Sequence, residues 1–286
     1  MGLSSRQDLD IVELVYYGIS IPLIVFVLVK QGFGRQIGWF YLGVLAILRI
    51  VGASTGLAYE SNPSQGLIEA SLICYSIGIS PLLLSLLGIL KRINEGMKGH
   101  GVAQKVEMII HLPIVVGLIL GIVAGTKEFS NDASTRNSGY DFFKAAVILY
   151  IFALLALAAV CLRTFARRQW ILDGEMRLLA AGIISLPFLL VRIIYSIISA
   201  FSQGSTTFSI ISDRTRAVVV EAIMSVAMEF IVVALFIAAG LTVRPIPRSM
   251  VKSGYVDPPQ YDAAAGGKAS QEYPLNTSGA HQTSAV

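Results

Sequence analysis

Six ionisable side chains lie inside long apolar stretches of the sequence, where a lipid bilayer would leave them without water. They are Glu13, Arg49, Glu69, Arg192, Glu221 and Glu229. A charge at this depth is costly unless another charge pairs with it or it reaches water. Residues of this kind therefore indicate ion pairs, proton transfer or substrate binding within the membrane.

The two arginines have carboxyl partners at compatible positions. We expect Arg49 to pair with Glu69, and Arg192 to pair with Glu221. A guanidinium group can donate two parallel hydrogen bonds to one carboxylate, which makes these natural partners. Such pairs have two interpretations: they belong to a catalytic or binding site, or they only hold neighbouring helices together.

Under this pairing the last apolar stretch keeps one carboxyl group without a cation. Glu221, Ser225 and Glu229 are spaced by four residues and share one face of a helix, which must point into the bundle. A carboxyl group without a cation in an apolar environment keeps its proton, as a general acid requires. We predict Glu229 as the first candidate acid, with Glu221 or Glu69 second. Glu13 is also unpaired, but it lies close enough to the outer surface to reach water.

Seven apolar stretches must position these residues. Each has about the 20 residues that a spanning helix needs. They cover residues 11–29, 37–58, 67–90, 106–125, 143–162, 178–200 and 217–243. With 55% hydrophobic and 14% charged residues, the chain lacks the polar surface of a soluble domain. We predict an all-α bundle of seven transmembrane helices over residues 11–243, between a short polar N-terminus (1–10) and a disordered tail (244–286).

Lysine and arginine residues are distributed unevenly between the two sides of this bundle. The first, third and fifth loops and the tail carry fourteen of them, whereas the N-terminus and the even-numbered loops carry five. Cytosolic segments are the richer in these residues. We therefore predict an N-terminus that is outside or lumenal and a cytosolic C-terminus, in either the endoplasmic reticulum or the plasma membrane. A net charge of +4 spread over loops does not favour nucleic-acid binding.

The second and third apolar stretches resemble the sixth and seventh. An Arg-Ile step occurs at Arg49 and again at Arg192, and Glu69 and Glu221 each precede an arginine by 23 residues. Both triplets of helices would start on the same side of the membrane. The matches have two interpretations: a parallel repeat of three plus one plus three helices, as in some transporters, or chance similarity between apolar helices.

The tail contains one segment that fits a known peptide-recognition mode. Pro258, Pro259 and Tyr261 form a Pro-Pro-x-Tyr pattern, which can dock as a polyproline II helix in a WW-domain groove. The alternative is a chance match, because patterns of four residues are common in proline-bearing tails.

Several chemistries have no signature in the sequence. There is no Gly-rich phosphate loop, no Ser–His–Asp arrangement, no Cys/His cluster and no Asp-rich magnesium motif. Cys74 and Cys161 lie inside apolar stretches, and His111 has no partner at metal-ligand spacing. We expect neither a cofactor nor a metal, so any terpene-type chemistry would start by protonation.

Short stretches of the chain resemble a known protein family. These are Gly-Phe-Gly-Arg at 32–35, Gly-Trp at 38–39, Leu-Arg-Ile-Val-Gly at 48–52, Asn-Pro at 62–63, Ser-Pro-Leu-Leu-Leu at 80–84 and Leu-Gly at 87–88. Over about residues 10–245 the chain is similar to fungal seven-helix integral membrane proteins of largely unassigned function. This group overlaps with the membrane-bound terpene cyclases of fungal meroterpenoid pathways, such as those of ascofuranone and ascochlorin, which the chain also resembles. The resemblance implies cyclisation of a prenyl chain, or its epoxide, attached to an aromatic ring, and it assigns no catalytic residue.

The leading prediction is a metal-independent, acid-initiated terpene cyclase for a lipophilic prenylated substrate. Arg49 and Arg192 would complete its site beside the candidate acids. Aromatic rings could shelter the carbocation, although packing is their commoner role. The candidates are Tyr16, Tyr17, Tyr75, Phe188 and Tyr195. The alternatives are a small-molecule transporter or exporter, which the repeat favours, and a seven-helix receptor, which the orientation allows.

Overall fold

The computed structural model describes residues 4–31, 37–97, 101–128, 132–171, 174–202 and 215–243. Within these ranges, seven helices are long and apolar enough to cross a membrane. They are α1 (Ser5–Gln31), α2 (Ile37–Ser61), α3 (Gln65–Gly96), α4 (Gln104–Glu128), α5 (Ala133–Ala166), α6 (Met176–Phe201) and α7 (Arg216–Thr242). The predicted all-α fold with seven transmembrane helices is confirmed, and the chain is a multi-pass membrane protein.

The orientation and the repeat stay predictions. We call the end of the bundle at which α1, α3, α5 and α7 begin the outer end, following the predicted orientation, and the opposite end the inner end. The predicted tail, with Pro258, Pro259 and Tyr261, lies outside the described residues.

Two helices extend beyond their apolar stretches at the outer end. Helix α1 begins at Ser5 rather than at residue 11, and α5 begins at Ala133 rather than at residue 143. The carboxylate of Asp132 caps α5 by accepting hydrogen bonds from the backbone N–H groups of Ser134 and Thr135. Capping and ion pairing let polar residues continue a helix that hydropathy alone would end.

Helix α3 forms the centre of the bundle. In its most apolar window of 18 residues, 83% of the residues are buried. The corresponding windows of the other six helices are 28–50% buried. The remaining helices expose large apolar side chains on their outward faces, among them Ile19, Phe26 and Leu155. Lipid tails are as apolar as these side chains, so the outward faces suit a bilayer.

Two helices depart from regular α-geometry where polar residues are buried. Helix α3 is interrupted at Gly78, between segments Gln65–Ile77 and Ile79–Gly96. Helix α7 contains a π-helical segment, Ala222–Ala227, between two α-helical segments. A π turn accommodates an extra residue and often occurs at functional sites. Glu221, Ser225 and Glu229, which lie in or beside this segment, are all buried.

Glycines bring α2 and α3 into backbone contact near the inner end. A Cβ atom on Gly38 would lie 2.9 Å from the carbonyl oxygen of Ser85, and one on Gly88 would overlap the backbone of Gly38. Membrane helices approach this closely only where both carry small residues. This contact fixes α2 against the central helix.

We expect Gly88→Ala to destabilise the bundle, because the added methyl group forces α2 and α3 apart. Overpacking of this kind costs roughly 1–3 kcal/mol of unfolding free energy. Thermal unfolding of the purified protein in detergent measures the effect. Gly18→Ala is the matched control, since no heavy atom lies within 4 Å of its added Cβ. An equal loss of Tm in both variants would contradict the role of the α2–α3 contact.

Candidate functional site

The most heavily paired carboxylate of the described bundle is Glu229 on α7. Arg49 on α2 donates to both of its oxygens, from Nε and Nη2. Tyr17 on α1 donates its O–H to the same carboxylate. The Nε atom of Arg192 on α6 lies 3.8 Å from it. All four residues are at most 4% exposed, so one buried anion joins four helices.

The guanidinium group of Arg49 lies against Gly78 of α3, where there is no side chain. A Cβ atom at Gly78 would lie 2.6 Å from Nη2 of Arg49, so a side chain there would block the ion pair. The guanidinium carbon also lies 4.8 Å from the centre of the Tyr75 ring on α3. A cation over an aromatic face is stabilised further when both are desolvated.

Glu13 on α1 is buried without a hydrogen bond. It is 1% exposed, and its nearest cation is Nη1 of Arg49, at 4.0 Å. Neither of its carboxyl oxygens has a hydrogen-bond partner among the described residues, and the same holds for Nη1 of Arg49. Glu13 is therefore near a positive charge without being bound to it.

A second layer of polar contacts closes the outer side of these residues. Arg6 on α1 pairs with Glu221 on α7 at 3.1 Å, and its guanidinium carbon lies 5.6 Å from the centre of the Tyr75 ring. Tyr75 donates its O–H to Asp10 at 3.1 Å. Asp10 is 2% exposed and fits against Gly56, where a Cβ atom would lie 2.7 Å from its carboxylate.

We call these residues together the outer polar cluster. Its members are Arg6, Asp10, Glu13, Tyr17, Arg49, Tyr75, Arg192, Glu221 and Glu229. The cluster contains four carboxyl groups and three guanidinium groups. One carboxyl group therefore exceeds the available positive charge, and Glu13 is the one to which no group donates.

One small cavity lies beside the cluster among the described residues. A cavity of about 10 Å³ is lined in part by Arg192, Tyr195, Ser196, Glu221 and Ser225. A water molecule needs at least about this volume. Within the lining, Nη1 of Arg192 donates a hydrogen bond to the hydroxyl of Ser196 at 3.1 Å. The cavity beside Arg192 does not hold a molecule larger than water in this structure.

The two predicted Arg–Glu pairs are wrong. Glu69 lies partly exposed near the outer end and accepts a hydrogen bond from Gln65 at 2.9 Å. At a rise of 1.5 Å per residue, Glu69 is about 6 Å from the outer end of α3, at Gln65. Arg49 is about 18 Å from the outer end of α2 and is therefore much deeper. This difference in depth prevents the Arg49–Glu69 pair. Glu221 pairs with Arg6 rather than with Arg192.

The prediction that Glu229 lacks a cation is wrong for the same reason. At a rise of 1.5 Å per residue, Glu229 lies about 20 Å from the outer end of α7, at Arg216. This is close to the depth of Arg49 in α2. The carboxyl group of the cluster that accepts no hydrogen bond is Glu13, which the sequence analysis expects near the surface. Catalytic roles for Glu229, Glu221 and Glu69 stay predictions.

Sequence reasoning missed two residues of the cluster. Arg6 and Asp10 were assigned to a polar N-terminus, yet they belong to α1 and contact α7 and α3. Arg6, Asp10, Glu13 and Tyr17 follow one another at intervals of four, three and four residues. This spacing places the four residues on one face of a helix. It is the feature of the sequence that indicates that α1 begins before residue 11.

A separate buried network lies at the inner end. Arg92 on α3 contacts Glu175 at 3.3 Å and Gln31 on α1 at 3.1 Å. The amide of Gln31 donates to the backbone carbonyl groups of Gly240 and Val243 at the end of α7. Arg92 was counted among loop residues in the sequence, but it is 3% exposed within α3. This network joins the helices at the inner end as the outer polar cluster does at the outer end.

Comparison with known proteins identifies the family of this chain. It belongs to the family defined by a domain of unknown function, DUF7702, whose model matches residues 3–246. The match includes all seven helices and every residue of the outer polar cluster. No curated protein and no solved structure matches the chain.

We expect Arg49→Met to destabilise the protein strongly, because it leaves Glu229 buried without its main cation. Breaking a buried ion pair by removing one partner costs about 3–5 kcal/mol. Glu69→Gln is the control, and we expect a change within about 0.5 kcal/mol since that side chain is partly exposed. Thermal unfolding in detergent compares the two.

The double variant Arg49→Met/Glu229→Leu separates the ion pair from packing. We expect it to lose less stability than the sum of the two single variants, because neither charge is then left alone. Additive losses would contradict the pairing.

Proposed function

We propose that this DUF7702 protein is a membrane-embedded enzyme that cyclises a prenylated, lipophilic substrate of the meroterpenoid class by protonating it. The cyclases that the sequence resembles act in fungal secondary metabolism, and we assign this protein the same setting. One observation carries the proposal: the buried Glu13 carboxyl group has no hydrogen-bond donor in a cluster with more carboxyl groups than cations.

Glu13 is the proton donor in this proposal. An ionised carboxylate that is buried without hydrogen bonds is far less stable than the neutral acid. Glu229 is a poor proton donor by comparison. Two guanidinium groups and a phenol surround it, and their positive charge and hydrogen bonds stabilise its ionised form. Arg49 and Glu229 then act as positioning residues that hold the site around Glu13.

The reaction balances without a cofactor. The proton of Glu13 passes to the epoxide oxygen of the substrate, and one C–O bond of the epoxide breaks. The π electrons of a neighbouring alkene form a new C–C bond at the carbon released. The resulting carbocation loses a proton to the Glu13 carboxylate, which leaves an alkene and restores the acid. With a terminal alkene as the starting group, protonation occurs at carbon instead.

Aromatic rings close to the cluster suit a carbocation. Tyr16 stacks on Phe230 with ring centres 3.8 Å apart, and Tyr17 meets both rings edge-on. Tyr16 donates its O–H to the backbone carbonyl of Phe230, which fixes the pair. Rings stabilise a nearby cation through their quadrupole, and a dry site prevents water from quenching it.

In this proposal a substrate that enters beside Arg192 displaces side chains. The cavity beside Arg192 holds about one water molecule, which is far less than a prenyl chain occupies. The π-helical segment of α7 adjoins this cavity through Ser225. Because π turns are less regular than α turns, we place substrate entry between α6 and α7.

Transport is the second candidate function, and the two buried networks favour it. The outer polar cluster and the Arg92 network lie at opposite ends, and apolar residues such as Leu42, Leu45 and Phe236 lie between them. Alternating access needs closure at both ends. A transporter would move a small molecule across the membrane without changing it.

Glu13→Gln tests the proposed acid. Membranes that contain the protein are incubated with prenylated phenols, with and without a terminal epoxide, and the products are separated by liquid chromatography and mass spectrometry. We expect the wild type to form an isomer of unchanged mass and Glu13→Gln to form none, because an amide cannot donate the required proton. In deuterated water, alkene protonation adds one non-exchangeable deuterium to the product.

Glu69→Gln is the matched comparison. This proposal expects it to retain full activity, since Glu69 lies outside the cluster, and a loss of activity would support the predicted acid role of Glu69 instead. Equal amounts of folded protein are verified by size-exclusion chromatography. Full activity of Glu13→Gln together with an inactive Glu229→Gln would return the acid role to Glu229. Flux of the intact compound into proteoliposomes, with no isomer, would favour the transporter.

A further inference from the structure

A cleft at the inner end lies between α2, α3 and α4, away from the outer polar cluster. Its volume is about 240 Å³. Its lining includes Tyr41, Leu84, Leu87, Lys91, Glu107 and His111. We call it the inner cleft.

The floor of the inner cleft is apolar and its side is open towards the membrane. Leu84 and Leu87 of α3 form the floor and are only 4% and 6% exposed. Ile37 on α2 and Met108 on α4 form opposite walls and are 43% and 69% exposed. Those walls stand on the outward faces of the bundle, so the cleft can accept an acyl chain from the bilayer.

The rim of the inner cleft carries opposite charges. Lys91 on α3 has no ion pair within 4.0 Å among the described residues. Among the described residues, Glu107 on α4 accepts one long hydrogen bond, 3.4 Å, from Asn94, and it also interacts electrostatically with Lys91 across the cleft. The hydroxyl of Tyr41 and Nε2 of His111 lie 3.5 Å apart on the same rim.

The rim lies at the depth of lipid headgroups. Lys91 is about 8 Å from the inner end of α3 at Gly96, and Glu107 is about 5 Å from the start of α4, at 1.5 Å per residue. The headgroup region on each side of a bilayer is about 5–8 Å thick. The charges of the rim are therefore level with the phosphate and amine groups of phospholipids.

We propose that the inner cleft binds one phospholipid whose headgroup carries both a phosphate and a primary ammonium group. Lys91 contacts the phosphate, Glu107 accepts hydrogen bonds from the ammonium group, and an acyl chain lies on Leu84 and Leu87. Charge complementarity selects this headgroup. A headgroup without an amine leaves Glu107 facing the phosphate, and a quaternary amine has no N–H to donate.

Native mass spectrometry of the full-length protein in detergent tests this site. The protein is titrated with phosphatidylethanolamine, phosphatidylcholine and phosphatidylglycerol of identical acyl chains. We expect one phosphatidylethanolamine to bind at least fivefold more tightly than the other two lipids. Equal affinities for the three lipids would overturn the proposal, because they indicate ordinary contact with surrounding lipid.

Single substitutions assign the contacts. We expect Lys91→Gln to weaken binding of all three lipids severalfold, and Glu107→Gln to remove the preference for phosphatidylethanolamine over phosphatidylcholine. Lys105→Gln is the control, since Lys105 is exposed on the same helix but does not line the cleft. A preference that survives Glu107→Gln, or an equal loss in Lys105→Gln, would overturn the assignment. Each variant is compared at matched folded protein, and cyclase activity does not enter the measurement.

Discussion

The buried ion pair between Arg49 and Glu229 is the interaction on which the outer half of the bundle depends. Two ionised groups at this depth are tolerated only because they meet in good geometry and at the same depth. Two irregularities of the helices lie next to this pair. Helix α3 has Gly78 where the guanidinium group lies, and the π-helical segment of α7 ends two residues before Glu229.

The same low-polarity environment gives the site its chemical character. Every carboxyl group of the outer polar cluster except Glu13 receives at least one hydrogen bond. An acid that is close to a cation but not bound to it can release a proton to a bound molecule and recover it. Paired residues around it keep the helices in place without taking part in that exchange. Stability and proposed chemistry therefore belong to different members of one cluster.

The inner end combines a comparable buried network with a site of a different kind. Arg92, Gln31 and Glu175 join helices through hydrogen bonds within the protein. Lys91, one residue away on α3, points to the rim of a cleft open to the membrane. Adjacent residues of a helix face different directions. Arg92 therefore takes part in helix packing, whereas Lys91 can make the proposed contact with a lipid headgroup.

The sequence by itself determined the seven crossings and five of the charged residues that they bury, namely Glu13, Arg49, Arg192, Glu221 and Glu229. Hydropathy is a local property, and a run of about 20 apolar residues has few other stable solutions in a bilayer. Depth along each helix could also have matched Arg49 with Glu229 and excluded Glu69. Only the tertiary structure decided that Arg6 and Asp10 continue α1 and that Glu13, rather than Glu229, lacks a donor. Helix rotation and the choice of neighbours depend on packing between distant segments, which the periodicity of one segment does not contain.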